Sequence, residues 1–318
     1  MKKIVAACVL GLGVSIAIAQ DFPIKPIRVV VPLTPGSGAD IVGRIVGRHL
    51  GDAFGQPVVF ENRPGAGGQI GSQAVLKSPA DGYTLLVQSA SHAANSAIYK
   101  QLPYDPLKDF VDVALLGMTP YVMVTSASGP HRPLKALIDA AKAKPGDIPF
   151  ASAGVGSSTH LAAEYFAQTA GIRMVHVPYK GSPEAIQDTL AARTSFYMAP
   201  INTVIGMMKE GRVAALGVST ERRAPALPDV PTIAEQGYPG FAITLWFGMW
   251  APAGTPAVVV RKLNAEVNRI LQVAEVREQL ARLGVDPVGM SPEEFAKFVR
   301  EQIAVYQRIV KEGGVQQQ

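Results

Sequence analysis

Short apolar runs rich in β-branched residues alternate along the chain with longer segments whose apolar residues recur at helical spacing. The runs are typical of buried strands and lie at Ile27–Val31, Val58–Phe60, Thr84–Gln88, Val111–Leu116, Tyr121–Thr125, Ile148–Ser152, Met174–Val177, Ser195–Met198, Ala214–Val218 and Trp246–Trp250. The amphipathic segments predict helices at Ala39–Leu50, Leu134–Lys144, Thr159–Ala170, Pro183–Ala192 and Asn202–Glu210. Strands that alternate with helices in this way favour an α/β fold with one or two mostly parallel sheets.

The last part of the chain is predicted to be helical. Thr255 and Pro256 have the order typical of an N-cap residue followed by proline at the first helical position. Ser291 and Glu294 have the spacing of a capping box. The helix that they open, Pro292–Lys311, places one set of apolar residues on a single face: Phe295, Phe298, Val299, Ile303 and Tyr306.

The N-terminal residues have a different pattern. Lys2 and Lys3 precede the almost wholly apolar stretch Ile4–Ile18, and Ala17–Ala19 matches the small-residue cleavage site of a secretory signal peptide. The alternative is a membrane anchor helix, but the apolar stretch is too short and wrongly flanked for a stable membrane span. We therefore predict a signal peptide over residues 1–19, followed by a secreted mature chain.

Composition and charge exclude several classes of protein. The only cysteine, Cys8, lies in the predicted signal peptide, so we expect neither a disulfide nor a cysteine-based metal site in the mature chain. The chain contains 30 Lys and Arg residues against 25 Asp and Glu residues, and its basic groupings are no larger than pairs such as Arg222-Arg223. A nucleic-acid partner is therefore not expected. A chain of 318 residues is long enough for one large or two medium domains.

The sequence lacks the usual catalytic and nucleotide-binding motifs. Its Gly-x-Gly turns begin at Gly36, Gly65 and Gly154, and each lacks the third glycine of a dinucleotide-binding motif. There is also no P-loop and no G-x-S-x-G motif. His160 and Glu164, four residues apart, could form half of a metal site or a simple helical pair. We expect no catalysis, no metal and no cofactor, although a triad built from distant residues stays open.

Three glycine- and hydroxyl-rich turns share one design, because each follows a predicted strand and opens a predicted helix. They are Pro35–Gly38, Gly154–Thr159 and Tyr179–Ser182. A helix start presents free N–H groups and the positive end of the helix dipole, and glycine lets the backbone come close to an anion. Each turn alone could be a simple capped turn. Together they favour a cleft that closes on a small anion at the carboxyl ends of strands.

Seven stretches of sequence carry a family resemblance: Pro26–Pro32, Gly55–Val59, Glu61–Gly68, Asp81–Leu86, Leu102–Pro106, Val177–Gly181 and Leu227–Thr232. In this order they resemble the extracytoplasmic solute receptors of tripartite tricarboxylate transporters, the Bug family of Gram-negative periplasmic binding proteins. The resemblance extends from about Phe22 to Gly313.

The resemblance implies a type II periplasmic binding fold of the α/β class, with two lobes joined by two crossing strands and a ligand cleft between them. It implies lobe one at residues 20–120 plus 225–318 and lobe two at residues 121–224, with crossings near Pro120–Ser126 and Thr220–Pro231. The implied function is capture of a small aliphatic or aromatic carboxylate in the periplasm and its delivery to a membrane permease, by a monomer. A sensor that docks on a membrane sensor kinase and an enzyme on the same scaffold are the alternatives.

The same resemblance implies which loops hold the carboxylate. The expected ligand-binding residues are Thr34, Gly36, Ser37, Gly38, Ser89, Ser91, His92, Ser157, Ser158, Thr159, Tyr179, Lys180, Ala199, Pro200 and Asn202. Residues Ser89–Asn95 are interpreted as a binding loop. For Tyr179 and Lys180 a purely structural role is the alternative, and Asn62–Gly65 is interpreted as loop structure.

Two positions depart from the pattern of many relatives. Ser37 stands where many have glycine, which adds a hydroxyl to the first turn. Ala199 stands where many have aspartate, and the missing partner for an amine favours a plain carboxylate over an amino acid. Tyr121, Trp246 and Phe247 could form an aromatic wall, but two of the three are expected to be core residues.

Overall fold

The computed structural model describes residues 22–313 and 315–317, so the predicted signal peptide and Cys8 lie outside the described residues. The strands are β1 Ile27–Val31, β2 Val58–Asn62, β3 Thr84–Ser89, β4 Phe110–Ser126, β5 Pro149–Ser152, β6 Val175–Pro178, β7 Phe196–Pro200, β8 Val213–Val218 and β9 Thr244–Pro252. The helices are α1 Gly38–Phe54, α2 Gln69–Leu76, α3 Ser91–Ile98, α4 Leu134–Ala143, α5 Ser158–Ala170, α6 Ser182–Leu190, α7 Ile201–Lys209, α8 Ala257–Ile270, α9 Ala274–Arg282 and α10 Pro292–Gly313. None of the helices described is long and apolar enough to cross a membrane.

One sheet extends through both halves of the molecule. Its strand order is β2-β1-β3-β9-β4-β7-β5-β6, and β8 also pairs with β4. Strands β2, β1 and β3 are parallel, as are β7, β5 and β6, whereas β4 and β9 are antiparallel to their neighbours. We call the half that contains β1–β3 lobe one and the half that contains β5–β8 lobe two.

Strand β4 connects the two lobes. It pairs with β9 from Phe110 to Pro120 and with β7 from Tyr121 onward. The prediction of two separate strands in this region is wrong, because Gly117 and Pro120 do not end the strand. Gly117 lies at a shift in register, and Pro120 is the last residue paired with β9. A bulge accommodates Gly117, and Pro120 lies where the pairing passes from β9 to β7, so neither residue ends the strand.

The chain between β8 and β9 packs on lobe two. The ring of Phe241 lies 4.9 Å from that of Tyr165 on α5, and Thr232 forms a β-bridge with Val218. The main chain returns to lobe one through Ile243, whose N–H donates to the carbonyl of Ser219. The predicted return at residue 225 stays a prediction, and these contacts favour a return closer to the start of β9.

The C-terminal helix α10 closes the core of lobe one. The predicted capping box is confirmed, since the N–H of Ser291 donates to the Glu294 carboxylate at 2.8 Å and the N–H of Glu294 donates to the Ser291 hydroxyl at 3.2 Å. Phe295 packs 5.4 Å from Trp250 and is completely buried. The prediction that Thr255 caps a helix is wrong, because its hydroxyl donates to the carbonyl of Pro252 instead.

Candidate ligand-binding site

The first turns of four helices, α1, α3, α5 and α6, and Pro200 just before α7 meet around one cavity between the lobes. The cavity is lined by Leu33, Gly38, Ala39, Ser89, Ser91, Ala153, Ser158, Thr159, Ser182, Pro200, Leu245 and Phe247. Its volume of about 10 Å³ is close to the smallest space that holds a single water molecule. The cavity is therefore too small for an organic acid in this arrangement of the lobes.

The lobe-two turn before α5 is held by its own hydroxyl groups. Ser157 is the N-cap residue, and its hydroxyl accepts a hydrogen bond from the N–H of His160 at 3.2 Å. The hydroxyl of Thr159 accepts from the N–H of Ala153 at 2.9 Å. These bonds fix the turn and place Ser158 and Thr159 at the cavity with the free N–H groups of the first helical turn.

In the equivalent turn of lobe one, the hydroxyl of the N-cap residue does not cap the helix. Ser37 is the N-cap residue of α1 and has extended backbone angles, but its side chain makes no capping hydrogen bond. The Ser37 hydroxyl is completely buried and has no hydrogen-bond partner among the described residues. A buried hydroxyl without a partner costs stability. Ser37 itself does not line the cavity, so its contact with a ligand stays a prediction.

Asp40 and Asn62 hold this lobe-one turn. The Asp40 carboxylate accepts from the N–H of Gly36 at 2.9 Å and from Arg44 at 2.9 Å. The Asn62 amide donates to the carbonyl of Leu33 and to Asp40, both at 3.0 Å. The interpretation of the Asn62 turn as loop structure is confirmed, whereas the role of Asp40 had no signal in the sequence.

Hydrogen bonds cross the cleft beside the cavity and close it. The N–H of Ser158 donates to the hydroxyl of Ser91 at 3.0 Å. The Asn202 amide donates to the carbonyl of Gly38 at 3.1 Å. At the rim, the hydroxyl of Thr34 donates to the carboxylate of Glu184 at 3.0 Å. Three predicted ligand residues of lobe one thus contact lobe two directly.

Aromatic and aliphatic side chains form the apolar wall of the cavity. Phe247 lines the cavity together with Leu33 and Leu245. Trp246 instead donates from its indole N–H to Gln302 at 3.2 Å, on the side of the sheet covered by α10. Tyr121 is completely buried and does not line the cavity. The expectation that two of the three aromatic residues are core residues is confirmed.

The predicted binding loop Ser89–Asn95 is a helix from Ser91 onward, so the loop prediction is wrong. Alanines dominate this segment, and an alanine-rich face gives no strong apolar period although it is buried against α10. Ser89 and Ser91 line the cavity, but His92 packs its ring 4.2 Å from Trp250. Burial lowers the pKa of His92 to about 4.

Tyr179 and Lys180 lie outside the cavity wall, although Ser182 at the end of the same turn lines it. The phenol of Tyr179 donates to the carboxylate of Asp188 at 2.5 Å. Burial and the hydrogen bond to Asp188 raise the pKa of Tyr179 to about 12. Lys180 is exposed. Ala199 is buried in β7 opposite Val122 of β4, and Pro200 lies at the cavity. Ligand contact by Tyr179 and Lys180 stays a prediction.

Some cavity residues were missed by sequence reasoning. Ser182, the last residue of the predicted turn Tyr179–Ser182, is absent from the expected ligand-binding residues but lines the cavity, and its hydroxyl lies 2.9 Å from the phenol of Tyr197. The other missed residues are apolar or small and resemble core positions: Leu33, Ala39, Ala153 and Leu245. An apolar side chain on a cavity wall has the same sequence pattern as one in the core.

The electrostatics of the cavity come from backbone and hydroxyl groups, because no charged side chain lines it within residues 22–313 and 315–317. The described residues also contain no group of three or more His, Cys, Asp or Glu that could hold a metal ion. His160 and Glu164 form a pair at 3.5 Å, and His160 stacks on His176 with ring centroids 3.8 Å apart. The arrangement can bind an anion through helix N-termini and hydroxyl donors.

This α/β fold, with a cleft between two lobes of one crossed sheet, is that of a periplasmic binding protein. The chain belongs to the tripartite tricarboxylate transporter family of receptors, whose family model matches residues 42–315. It is 36% identical over 317 residues to Protein BugT of Bordetella pertussis. The aligned region covers 99% of this chain and 97% of BugT.

Two similar solved structures contain a bound acid. The chain is 31% identical to a protein of R. palustris solved with adipate, with a TM-score of 0.90 over 93% of this chain and 100% of that one. It is 32% identical to MatC of Rhodopseudomonas palustris with bound malate, with a TM-score of 0.87 over 91% of this chain and 100% of that one. The expected family and fold class are therefore confirmed.

Proposed function

We propose that the protein is a periplasmic receptor that captures a small carboxylate between its lobes and delivers it to the membrane permease of a tripartite tricarboxylate transporter. The observation that carries the proposal is the convergence of helix N-termini from both lobes on one cavity lined by serine and threonine hydroxyls. Helix N-termini and hydroxyl donors suit a carboxylate. The adipate and malate bound by two relatives support the same class of ligand.

The binding groups come from both lobes. Ser37 and Gly38 at the start of α1 bind one side of the ligand, and Ser158 and Thr159 at the start of α5 bind the other. Phe247 contacts the carbon chain between them. Because no charged side chain of the described residues lines the cavity, the dipoles and N–H groups of the helices offset the charge of the acid. The receptor acts as a monomer, without a cofactor and without catalysing a reaction.

The receptor reaches the periplasm through its predicted signal peptide, with cleavage after residue 19. Mass spectrometry of the protein purified from the periplasm tests this step. The expected mature chain begins at Gln20, and a purified chain that still carries Met1 would contradict it.

A thermal-shift screen tests the function. The mature protein is unfolded, dialysed and refolded to remove any retained ligand, then screened against mono-, di- and tricarboxylates, aromatic acids and amino acids. We expect one class of carboxylate to raise the Tm, because a ligand that binds only the folded state stabilises it by mass action. Calorimetric titration then gives the Kd. A shift caused only by amino acids, or no binding of any acid, would contradict the proposal.

A further inference from the structure

The glycine-rich turn after β2 is not explained by the ligand cavity. Four successive residues, from Gly65 to Gly68, have positive φ, and Ala66 is among them at 46°. A non-glycine residue in this region is strained, and such strain persists only where surrounding structure holds it. Gly67 is nevertheless buried, although none of its neighbours lines the cavity. Its cover comes from the other lobe.

The cover is the glycine turn of lobe two that precedes α5. A Cβ atom at Gly67 would collide with the carbonyl oxygen of Val155 and lie 3.3 Å from the nitrogen of Ser157. In return, a Cβ atom at Gly154 would lie 3.4 Å from the nitrogen of Gly67. Both turns therefore contain glycine where the main chains of the two lobes touch.

Side chains from the end of α3 complete this contact. The phenol of Tyr99 donates to the carbonyl of Val155 at 2.9 Å. The amide of Asn95 donates to the carbonyl of Gly67 at 3.3 Å. A Cβ atom at Gly156 would come within 2.5 Å of the Tyr99 ring, so the turn fits closely beneath the ring. Gly67, Tyr99 and Val155 thus join the lobes outside the cavity, and we call these three residues the latch.

The latch and the ligand cavity are formed by the same two segments. Helix α3 begins at Ser91, which lines the cavity, and is followed by Tyr99. The lobe-two turn contains Val155 and leads to Ser158, which also lines the cavity. Closing the cleft therefore forms both contacts at once. A contact present only in the closed form raises the closed population, and apparent affinity rises with the fraction of molecules that are closed.

We propose that the latch holds a measurable fraction of the protein closed before any ligand binds, so that Tyr99 acts as a positioning residue that sets ligand affinity without touching the ligand. The proposal rests on the receptor function proposed above, but its main test needs no ligand. It also assigns a role to the glycine-rich turn after β2.

Lobe separation measured between two spin labels tests the latch directly. The mature chain lacks cysteine, so Val59→Cys on β2 and Val175→Cys on β6, both exposed, give one label on each lobe. Without ligand, we expect a closed and an open distance. Tyr99→Phe should lower the closed-to-open ratio by about five-fold, the effect of one lost hydrogen bond. Gly67→Ala should lower it by about ten-fold or more, because the added methyl group collides with lobe two.

Matched controls separate the latch from general damage. The phenol of Tyr165 also donates to a carbonyl, that of Gly240 at 3.2 Å, so Tyr165→Phe loses the same kind of bond within lobe two. Gly171 has φ of 62° against 59° for Gly67 and has no atom within 4 Å of an added Cβ. Gly171→Ala therefore carries the same backbone strain without a collision between lobes. Neither control should change the distance distribution.

Two results would overturn the proposal. One is a wild-type protein that is entirely open without ligand. The other is a distance distribution that shifts equally in the latch variants and in their controls. With malate and adipate as probes, the latch variants should also lose apparent affinity by the factor measured for closure. If neither acid binds the wild type, the carboxylate found in the thermal-shift screen replaces them as the probe. If no acid of that screen binds, the receptor function is wrong, while the distance measurement still decides on the latch.

Discussion

Ser158 donates its backbone N–H to the hydroxyl of Ser91 at 3.0 Å, and this hydrogen bond joins the first residue of α5 in lobe two to the first residue of α3 in lobe one. The Ser91 hydroxyl also lies 3.0 Å from that of Ser89 and donates to that of Ser158 at 3.4 Å. A carboxylate in the cavity meets this group of hydroxyls from both lobes. The residues that we propose to bind the ligand are therefore also among those that join the two lobes.

Replacing Ser158 should weaken ligand binding with little effect on the fold. We expect Ser158→Ala to raise the Kd for the preferred carboxylate, because a buried carboxylate loses one donor. The expected loss of binding free energy is about 1–3 kcal/mol. Calorimetric titration measures the change. Thr169→Val is the control, since it removes a hydroxyl at the other end of α5 that bonds only to the carbonyl of Tyr165. Equal Kd values for Ser158→Ala and wild type would remove Ser158 from the site.

Phe247 should control the size of ligand that fits. A Cβ atom at Gly38 would lie 3.0 Å from the Phe247 ring, so the ring closes the cavity against the start of α1. Phe247→Leu removes part of this wall. We expect the difference in binding free energy between malate and adipate to change by about 1 kcal/mol in favour of adipate, the longer acid. Phe241→Leu, which alters a buried ring outside the cavity, should leave the ratio unchanged. A ratio that shifts equally in both variants would show that Phe247 is only a core residue.

The fold could be predicted where local pattern and tertiary environment agree. The limits of β1 follow from the run Ile27–Val31, which is β-branched and buried at every position except the half-buried Arg28, as is typical of a strand covered on both faces. Helix α3 could not be predicted in this way. Its buried residues are three alanines, three polar residues and Ile98, so it has no strong apolar period of its own, and it packs against α10.

The site shows the same division. Ser158 and Thr159 could be predicted because hydroxyls at a helix start after a strand are a local pattern with a chemical meaning. The contact of Gly67 with Val155 could not be predicted, because the sequence of neither glycine turn indicates which residues of the other lobe it contacts. Tyr179 is expected at the ligand because of a shared stretch of sequence; its phenol bonds to Asp188, and its contact with a ligand stays a prediction.

Asp112 should destabilise the protein at neutral pH. Burial raises its pKa to about 6, despite the hydrogen bond from Trp250 and the attraction of Arg300. The folded state therefore binds the proton more tightly than the unfolded state, and stability is lost as pH rises from about 4 through 6. Asp112→Asn keeps an acceptor for the Trp250 N–H. We expect it to raise the free energy of unfolding by about 2 kcal/mol at pH 7.5 and to have little effect at pH 4.

Denaturant unfolding at the two pH values measures this change. Asp139→Asn is the control, because Asp139 is exposed and paired with Lys135 at the surface, where such pairs contribute little. An Asp112→Asn protein that is less stable than wild type at pH 7.5 would mean that the attraction between Asp112 and Arg300 outweighs the cost of burial.

His176 should make the protein sensitive to acid at the lobe-two turn. Burial and the neighbouring His160 lower the pKa of His176 to about 3, and its ring nitrogen lies 2.5 Å from the hydroxyl of Ser152. The folded state keeps this histidine neutral, whereas the unfolded state binds a proton below about pH 6.5. The contribution of His176 to the free energy of unfolding is fully present above that pH. It is lost as pH falls toward 3, by at most about 1.4 kcal/mol for each pH unit.

His176→Gln should therefore flatten the loss of stability between pH 6.5 and 4 in denaturant unfolding. The amide of glutamine can still bond to Ser152, which itself accepts from the N–H of Gly154 at 3.0 Å and so holds the turn that precedes α5. His92, whose pKa is lowered to about 4 by burial, should account for part of the loss that remains. The more exposed His131 is the control, and His131→Gln should retain most of the wild-type slope. Equal slopes in His176→Gln and wild type would mean that His176 is protonated without cost in the folded protein.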